Sequence, residues 1–473
     1  MAINNEEFRS WGHRAADWAA DYRADLSSKP VRAPLIPGAV LQKLPLSAPE
    51  TGEDMDAIFA DFERVIVPGM THWQHPRFFA YFSANAPLPS VLAEQLVNAM
   101  AAQCMLWQTS PSATELETRM MEWLREALGL PPHFSGVIQD AASLSTFAAV
   151  LMMRERALGW AGNQKGLSGQ PTLRVYASQE VHTSVDKAIW MAGIGQENFV
   201  RIPVQGALRS IDPAALDAAI SADRSNGLRP AGIVACVGGT SVGGTDDLRA
   251  VCAVARKYGL FVHVDAAWAG SAMICPEFRH LWTGIEDVDS LVFNPHKWLG
   301  AQSDCSVLFV REPKDLVRTL AIQPEYLKTQ GADGIINYSE WSTVLGRRFR
   351  SLKIWFLLRS YGLEGLRAVI RNHVAWSVQL AERLRKTAGF RITTEPMLSL
   401  FSFRHEPPGI SDLDAHNLAL VKAINDDGRI YLTQSKLDGK SIIRFQAGSF
   451  DMTATDIDIA YAAITDIAGT LAP

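Results

Sequence analysis

From about residue 86 to residue 365, short apolar, β-branched segments alternate with longer stretches of helical spacing. This alternation constrains the fold more than any other feature of the chain. LRVYA, GIVACV, LFVHV, SLVFN and SVLFV read as buried strands. Between them, TSVDKAIWMAGI and DDLRAVCAVARKYG read as helices. Strand and helix in regular succession predict an α/β domain on a mostly parallel sheet. In such a sheet the ligand site lies beyond the carboxyl ends of the strands.

The flanks differ. FRSWGHRAADWAADYRADL sets Phe8, Trp11, Ala15, Trp18, Ala19 and Tyr22 at helical spacing. A proline-punctuated connector, KPVRAPLIPGAVLQKLPLSAP, leads to a second helix, DMDAIFADFERVIVPG. Residues 1–85 are therefore expected to form a helical segment too small for its own core, packing on a larger body or a second subunit. Residues 86–365 form the large α/β domain, and residues 366–473 a small α+β domain. That last part opens with a long helix, RAVIRNHVAWSVQLAERLRKTAG, and continues through shorter strands to a final helix. A chain of 473 residues exceeds what one small core can organise.

Composition removes several classes of function. The net charge is −5 with no basic run, which argues against nucleic acid or a membrane surface as partner. Five cysteines, none in a CxxC pair, argue against a zinc site or a redox couple and for reduced thiols in a cytoplasm. MAINNEEFRS lacks the apolar core of a signal peptide, and no stretch approaches the length of a membrane span.

Chemistry concentrates in two places. In LVFNPHKWLG a strand ends at Phe293 and Lys297 follows at once, flanked by His, Pro and Trp. An amine shielded from water there has a lowered pKa and can condense with an aldehyde. The same lysine could instead snorkel past Trp298. LFVHVDAAWAG ends an apolar strand on Asp265, a costly place for a charge without a cationic partner. The protonated pyridine nitrogen of pyridoxal phosphate would be such a partner, and only a protonated ring accepts the electrons left when CO2 departs. Ala266, Ala267, Ala269 and Gly270 would let the chain pass close to a flat ring. A helix N-cap is the structural alternative for Asp265.

The blocks HWQHPRFFAYF, SPSATELETRMMEWL, GVIQDAAS, VHTSVDKA, HVDAAWAGSAMICPEFR, NPHKWLG, PEYLK and LGRRFRSLKIWF occur in that order. In these the chain resembles the group II pyridoxal-phosphate decarboxylases, and within them the aromatic-L-amino-acid decarboxylases. The resemblance implies the fold-type-I transferase fold, with a mostly parallel seven-stranded sheet. It also implies a homodimer with shared active sites, the N-terminal helices packing across onto the other subunit. Lys297 matches the Schiff-base lysine and Asp265 the partner of the pyridine nitrogen. His182 matches the imidazole stacked on the ring. Ala142 and Ser143 match the phosphate-holding positions, where free N–H groups before a helix suit an anion; an ordinary Ser N-cap would look the same. Asn294, His296 and Thr240 match further cofactor contacts, although Thr240 could simply belong to a glycine-rich turn. Tyr326 matches the tyrosine of a mobile catalytic loop that protonates Cα. The family's aldehyde-forming members carry phenylalanine there.

The resemblance also assigns a substrate pocket. Trp73, Tyr81, Phe82 and Gly346 agree with the aromatic decarboxylases, and the glycine leaves room for a large ring. Other positions depart. Ser83 and Ala84 replace a Pro-Thr pair, and Trp268 stands where Tyr is common. Gln103 and Met105 replace an aliphatic and an aromatic residue supplied by the second subunit. The expected activity is decarboxylation of DOPA, tyrosine, phenylalanine or tryptophan to the amine. The rivals are a non-aromatic substrate and an aldehyde synthase.

Overall fold

The computed structural model describes residues 3–322 and 334–471. By internal contacts the chain divides into two compact units. One comprises Met1–Ser83, Gln379–Ile392 and Phe403–Pro473; the other comprises Ala84–Val378 and Thr393–Ser402.

The larger unit is built on a seven-stranded sheet. Its strands are β1 (Ser135–Gln139), β2 (Leu173–Ser178), β3 (Phe199–Ile202), β4 (Arg229–Cys236), β5 (Phe261–Asp265), β6 (Ser290–Phe293) and β7 (Ser306–Val310). The spatial order is β1-β7-β6-β5-β4-β2-β3. The run β3-β2-β4-β5-β6 is parallel throughout, while β7 is antiparallel to both β6 and β1. The five expected strands are present as β2, β4, β5, β6 and β7. β1 and β3 join them, and SVLFV turns out to be the one reversed strand.

That reversal has a geometric result. Because β7 runs against both neighbours, β1 points the same way as the parallel set. Six carboxyl ends therefore share one edge of the sheet, and the segments that follow β1, β2, β4, β5 and β6 open there.

The core explains why these segments are strands. Val137, Val175, Val234 and Leu308 on the sheet are fully buried against Ala148, Ala149, Met152 and Met153 of the helix Ala142–Ala157. Burying a side chain of this size stabilises by roughly 1.5–3 kcal/mol. The helix expected to begin near 366 begins at Ser351 and runs to Arg385, broken at Gly362, whose φ is +62°. Its first turns bury Ile354, Leu357 and Leu358, a spacing of three and four that the short apolar run at 354–358 concealed.

In the smaller unit, the helix Asn5–Ala24 is closed by a capping box. Asn4 accepts from the N–H groups of Glu6 and Glu7, and Glu7 accepts from the Asn4 N–H. The chain's C-terminal portion carries the sheet β8 (Phe390–Met397), β9 (Leu400–His405), β10 (Thr433–Leu437) and β11 (Lys440–Gln446), ordered β8-β9-β11-β10. The facing ends of β8 and β9 with the turn between them, Thr393–Ser402, are counted with the larger unit. Arg77 ties the N-terminal part to the C-terminal part, donating to the Arg429 carbonyl and pairing with Asp456 at 3.2 Å. Among the described residues, no helix is long and apolar enough to cross a membrane.

Candidate active site

The shared edge of the large sheet gathers residues that lie far apart in sequence. After β1 come Ala142 and Ser143. His182 follows β2, Thr240 follows β4, Asp265 ends β5, and Asn294 to Lys297 follow β6. Cys236 is in register with Asp265, and Asp265 with Val292.

Asp265 is buried at 6% exposure, and one oxygen accepts from the Ala267 N–H at 3.0 Å. The local turn foreseen as the alternative for Asp265 thus exists, and it engages one of two carboxylate oxygens. Lys297 lies on a single wide turn, Pro295–Leu299, that starts directly after β6. Such π-type turns recur at functional sites. Three bonds fix its backbone: Asn294 N–H to the Ala267 carbonyl, Lys297 N–H to the Asn294 carbonyl, and Asn85 Nδ2 to the Lys297 carbonyl, each at 2.9 Å. Trp298, next in the chain, stacks on Trp268 with ring centroids 5.0 Å apart, and its Nε1 donates to His373 Nδ1. The lysine stem therefore sits on a braced turn and not on a free surface loop.

His182 accepts the Ser184 N–H at Nδ1, at 3.1 Å, which fixes the tautomer with hydrogen on Nε2. Burial holds its pKa below the ordinary imidazole value; Asp265 opposes this and Lys297 adds to it. Asp265 and Lys297 thus both lie within electrostatic reach of the His182 ring. His296 accepts from the Cys305 N–H at Nδ1 and is held down to about 4 by burial, so it is a neutral N–H donor at physiological pH.

Ala142 and Ser143 form the first turn of the helix Ala142–Ala157, whose N-cap, Ala141, offers no side-chain bond. Ser143 is therefore not a cap, as one reading allowed, and the N-terminus keeps its N–H groups for an anion. Thr240 is half-buried in the turn after β4. That turn needs Gly238: its φ is +80°, and a Cβ there would stand 2.5 Å from the Ala269 Cβ. The small residues after Asp265 require correction. A Cβ on Gly270 would stand 2.5 Å from the Phe293 Cβ. Ala266, Ala269 and Gly270 are fully buried, so their smallness serves packing against β6 and the β4 turn. Ala267 alone of the four is partly open.

Pyridoxal phosphate fits this edge. The uncapped helix suits its phosphate, Asp265 suits a ring cation, and Lys297 suits an aldehyde. One polar end of Asn294, Oδ1, is buried without a hydrogen-bond partner among the described residues, which a bound group would satisfy.

The substrate candidates fall into two groups. In the smaller unit Trp73 stacks on Tyr81 at 5.5 Å, and Phe82 lies under the guanidinium of Arg444 at 4.6 Å. In the larger unit Gln103, Met105 and Gly346 come together. Gln103 Oε1 accepts the Arg347 N–H at 2.7 Å, and Ser339 N–H donates to the Met105 carbonyl at 3.0 Å. Ala84 is half-buried in the larger unit. Tyr326 lies outside the described residues.

Sequence reading missed Asn85, His373 and Arg444. Arg444 is 3% exposed, its Nε and Nη2 lack hydrogen-bond partners among the described residues, and burial pulls its pKa down to about 9. An arginine centred in an apolar strand (SIIRFQ) was a signal for it, as Asp265 was for its own site. Asn85 and His373 carry no local signal.

Residues 37–406 match the family described as "Pyridoxal-dependent decarboxylase conserved domain". Tyrosine decarboxylase 3 of Petroselinum crispum is 37% identical over 96% of this chain and 90% of its own. The structure of Catharanthus roseus tryptophan decarboxylase with L-tryptophan superposes with a TM-score of 0.94 at 36% identity, covering 100% of both chains. That of Rhodiola rosea 4-hydroxyphenylacetaldehyde synthase gives 0.92 at 30% identity, covering 99% of both. With the sheet order, the braced lysine and a match over residues 37–406, the chain belongs to the pyridoxal-dependent decarboxylase family.

Proposed function

We propose that this enzyme decarboxylates an aromatic L-amino acid to its amine and CO2, with Lys297, Asp265 and His182 as its catalytic centre. The carrying observation is that all three stand at the carboxyl ends of parallel strands along one sheet edge. Relatives named for tyrosine and tryptophan decarboxylation, matched over nearly the whole chain, support the aromatic class.

When bound, pyridoxal phosphate supplies the electron sink that makes loss of CO2 feasible. Lys297 would hold it through its aldehyde carbon, and Asp265 through the ring nitrogen. The N–H groups of Ala142 and Ser143 would hold the phosphate, with Thr240, Asn294 and His296 as further polar contacts. Asp265 would keep a proton on the ring nitrogen, because a buried carboxylate beside it favours the cation. His182, with its hydrogen fixed on Nε2, would cover one ring face and could donate to a carboxylate. Tyr326 would supply the proton to Cα. A tyrosine there supports the amine as product; aldehyde formation is the second reading, since the similarity to the Rhodiola rosea synthase is nearly as complete.

We further assign Trp73, Tyr81, Phe82, Ala84, Gln103, Met105 and Gly346 to substrate contacts. The enzyme works as a homodimer that shares its active sites, with residues 1–85 packing on the partner. Leu88, Leu92, Leu96 and Met100 support this: spaced by four on one helix, each is half-exposed and awaits a cover. Five cysteines without a disulfide support a cytoplasmic location.

Lys297→Ala should abolish CO2 and amine release and the visible absorbance of the holoenzyme. A variant that keeps both refutes the assignment.

A further inference from the structure

We propose that Gln103 is a specificity-determining residue that donates a hydrogen bond to an oxygen on the substrate ring, so that phenolic amino acids are preferred over phenyl and indole ones. The proposal rests on the reading that Gln103 and Gly346 line the substrate pocket, and names the ring within that class.

Gln103 is held in place from several sides. Its carbonyl accepts from Thr109 Oγ1 at 2.9 Å and from Ser110 Oγ at 3.0 Å. The next residue, Cys104, donates its N–H to the Arg347 carbonyl at 2.9 Å. Arg347 is itself anchored, its guanidinium buried against Glu117 at 2.6 Å. The Arg347 N–H then donates to Gln103 Oε1 at 2.7 Å. This bond decides which end of the carboxamide is which: the oxygen faces Arg347, and the NH2 group faces away.

That NH2 group points at the space left by Gly346. A Cβ on Gly346 would lie 3.3 Å from Gln103 Nε2 and, its chain neighbours aside, would meet no atom of the described residues outside that carboxamide within 4 Å. Gln103 Nε2 has no acceptor among the described residues, and both residues are exposed in the single chain. The room made by the glycine is thus partly filled by an oriented donor. A phenol oxygen accepts from it. A phenyl ring offers nothing, and an indole offers a donor of its own while needing more width.

The test uses the purified holoenzyme and kcat/KM for L-tyrosine, L-phenylalanine and L-tryptophan. The wild type should favour tyrosine over phenylalanine by about twofold to tenfold, the range of one neutral hydrogen bond. Gln103→Leu and Gln103→Met, which keep bulk and remove both donors, should bring that ratio near one, with the loss falling on tyrosine rather than phenylalanine. Equal kcat/KM for tyrosine and phenylalanine in the wild type overturns the Gln103 assignment alone, as does a preference that survives in either variant. A wild type that decarboxylates no aromatic amino acid overturns the underlying reading and this assignment with it.

Discussion

Asp265 and the buried histidines show how single residues set the chemistry here. Asp265→Asn keeps an oxygen for the Ala267 N–H and removes only the charge. It should therefore fold normally and lose about 10²–10³ in kcat, the scale of one electrostatic stabiliser. A kcat within twofold of wild type would remove Asp265 from the centre. The histidines predict the pH dependence of folding. Burial holds His75, His263 and His296 down to about 4, against about 6.5 in an unfolded chain. Between those values the unfolded chain binds protons that the folded chain does not. Stability should fall as pH drops from about 6.5 toward 4. Asp246, raised to about 7 by burial, acts in the opposite sense, one group against three. The urea midpoint should be lower at pH 5 than at pH 7, and equal midpoints would count against this account. Lys297 and Asp265 were legible because each breaks the pattern of its segment. The bond from Asn85 to the Lys297 carbonyl spans 212 residues, and nothing near Asn85 announces it.

Among the elements, the turn after β4 is a tight joint of the site, close-packed and at positive φ. Gly238→Ala would combine a strained φ with a contact to Ala269 at 2.5 Å. It should cost about 1–3 kcal/mol, read as a lower Tm with weaker pyridoxal phosphate retention. A Tm equal to wild type would show that the turn relaxes freely. Strands buried on both faces were readable from their apolar runs. β3 was not: FVRI buries only its two end residues and leaves Val200 and Arg201 open, and four residues give too short a pattern. β1, the SGVIQ that leads into DAAS, is only five residues long and ends on a buried glutamine, so its apolar run is too short to stand out. Nor could periodicity reveal that β7 runs backwards, because a strand buried on both faces reads alike in either direction.

For the whole molecule, the row Leu88, Leu92, Leu96 and Met100 predicts assembly. Leu92→Glu with Leu96→Glu should shift the protein to monomer in sedimentation and lower its specific activity. A variant that stays dimeric would move the interface elsewhere. One feature of the sheet has a metric meaning as well. Ala142 follows β1 and Asp265 ends β5, three strand positions apart. At about 4.8 Å per position that separation is on the order of 14 Å. The sheet is thereby a ruler, with an anion seat at one mark and an acid at the other. A vitamer without its phosphate arm reaches one mark only, and pyridoxal should restore far less activity to apoenzyme than its phosphorylated form.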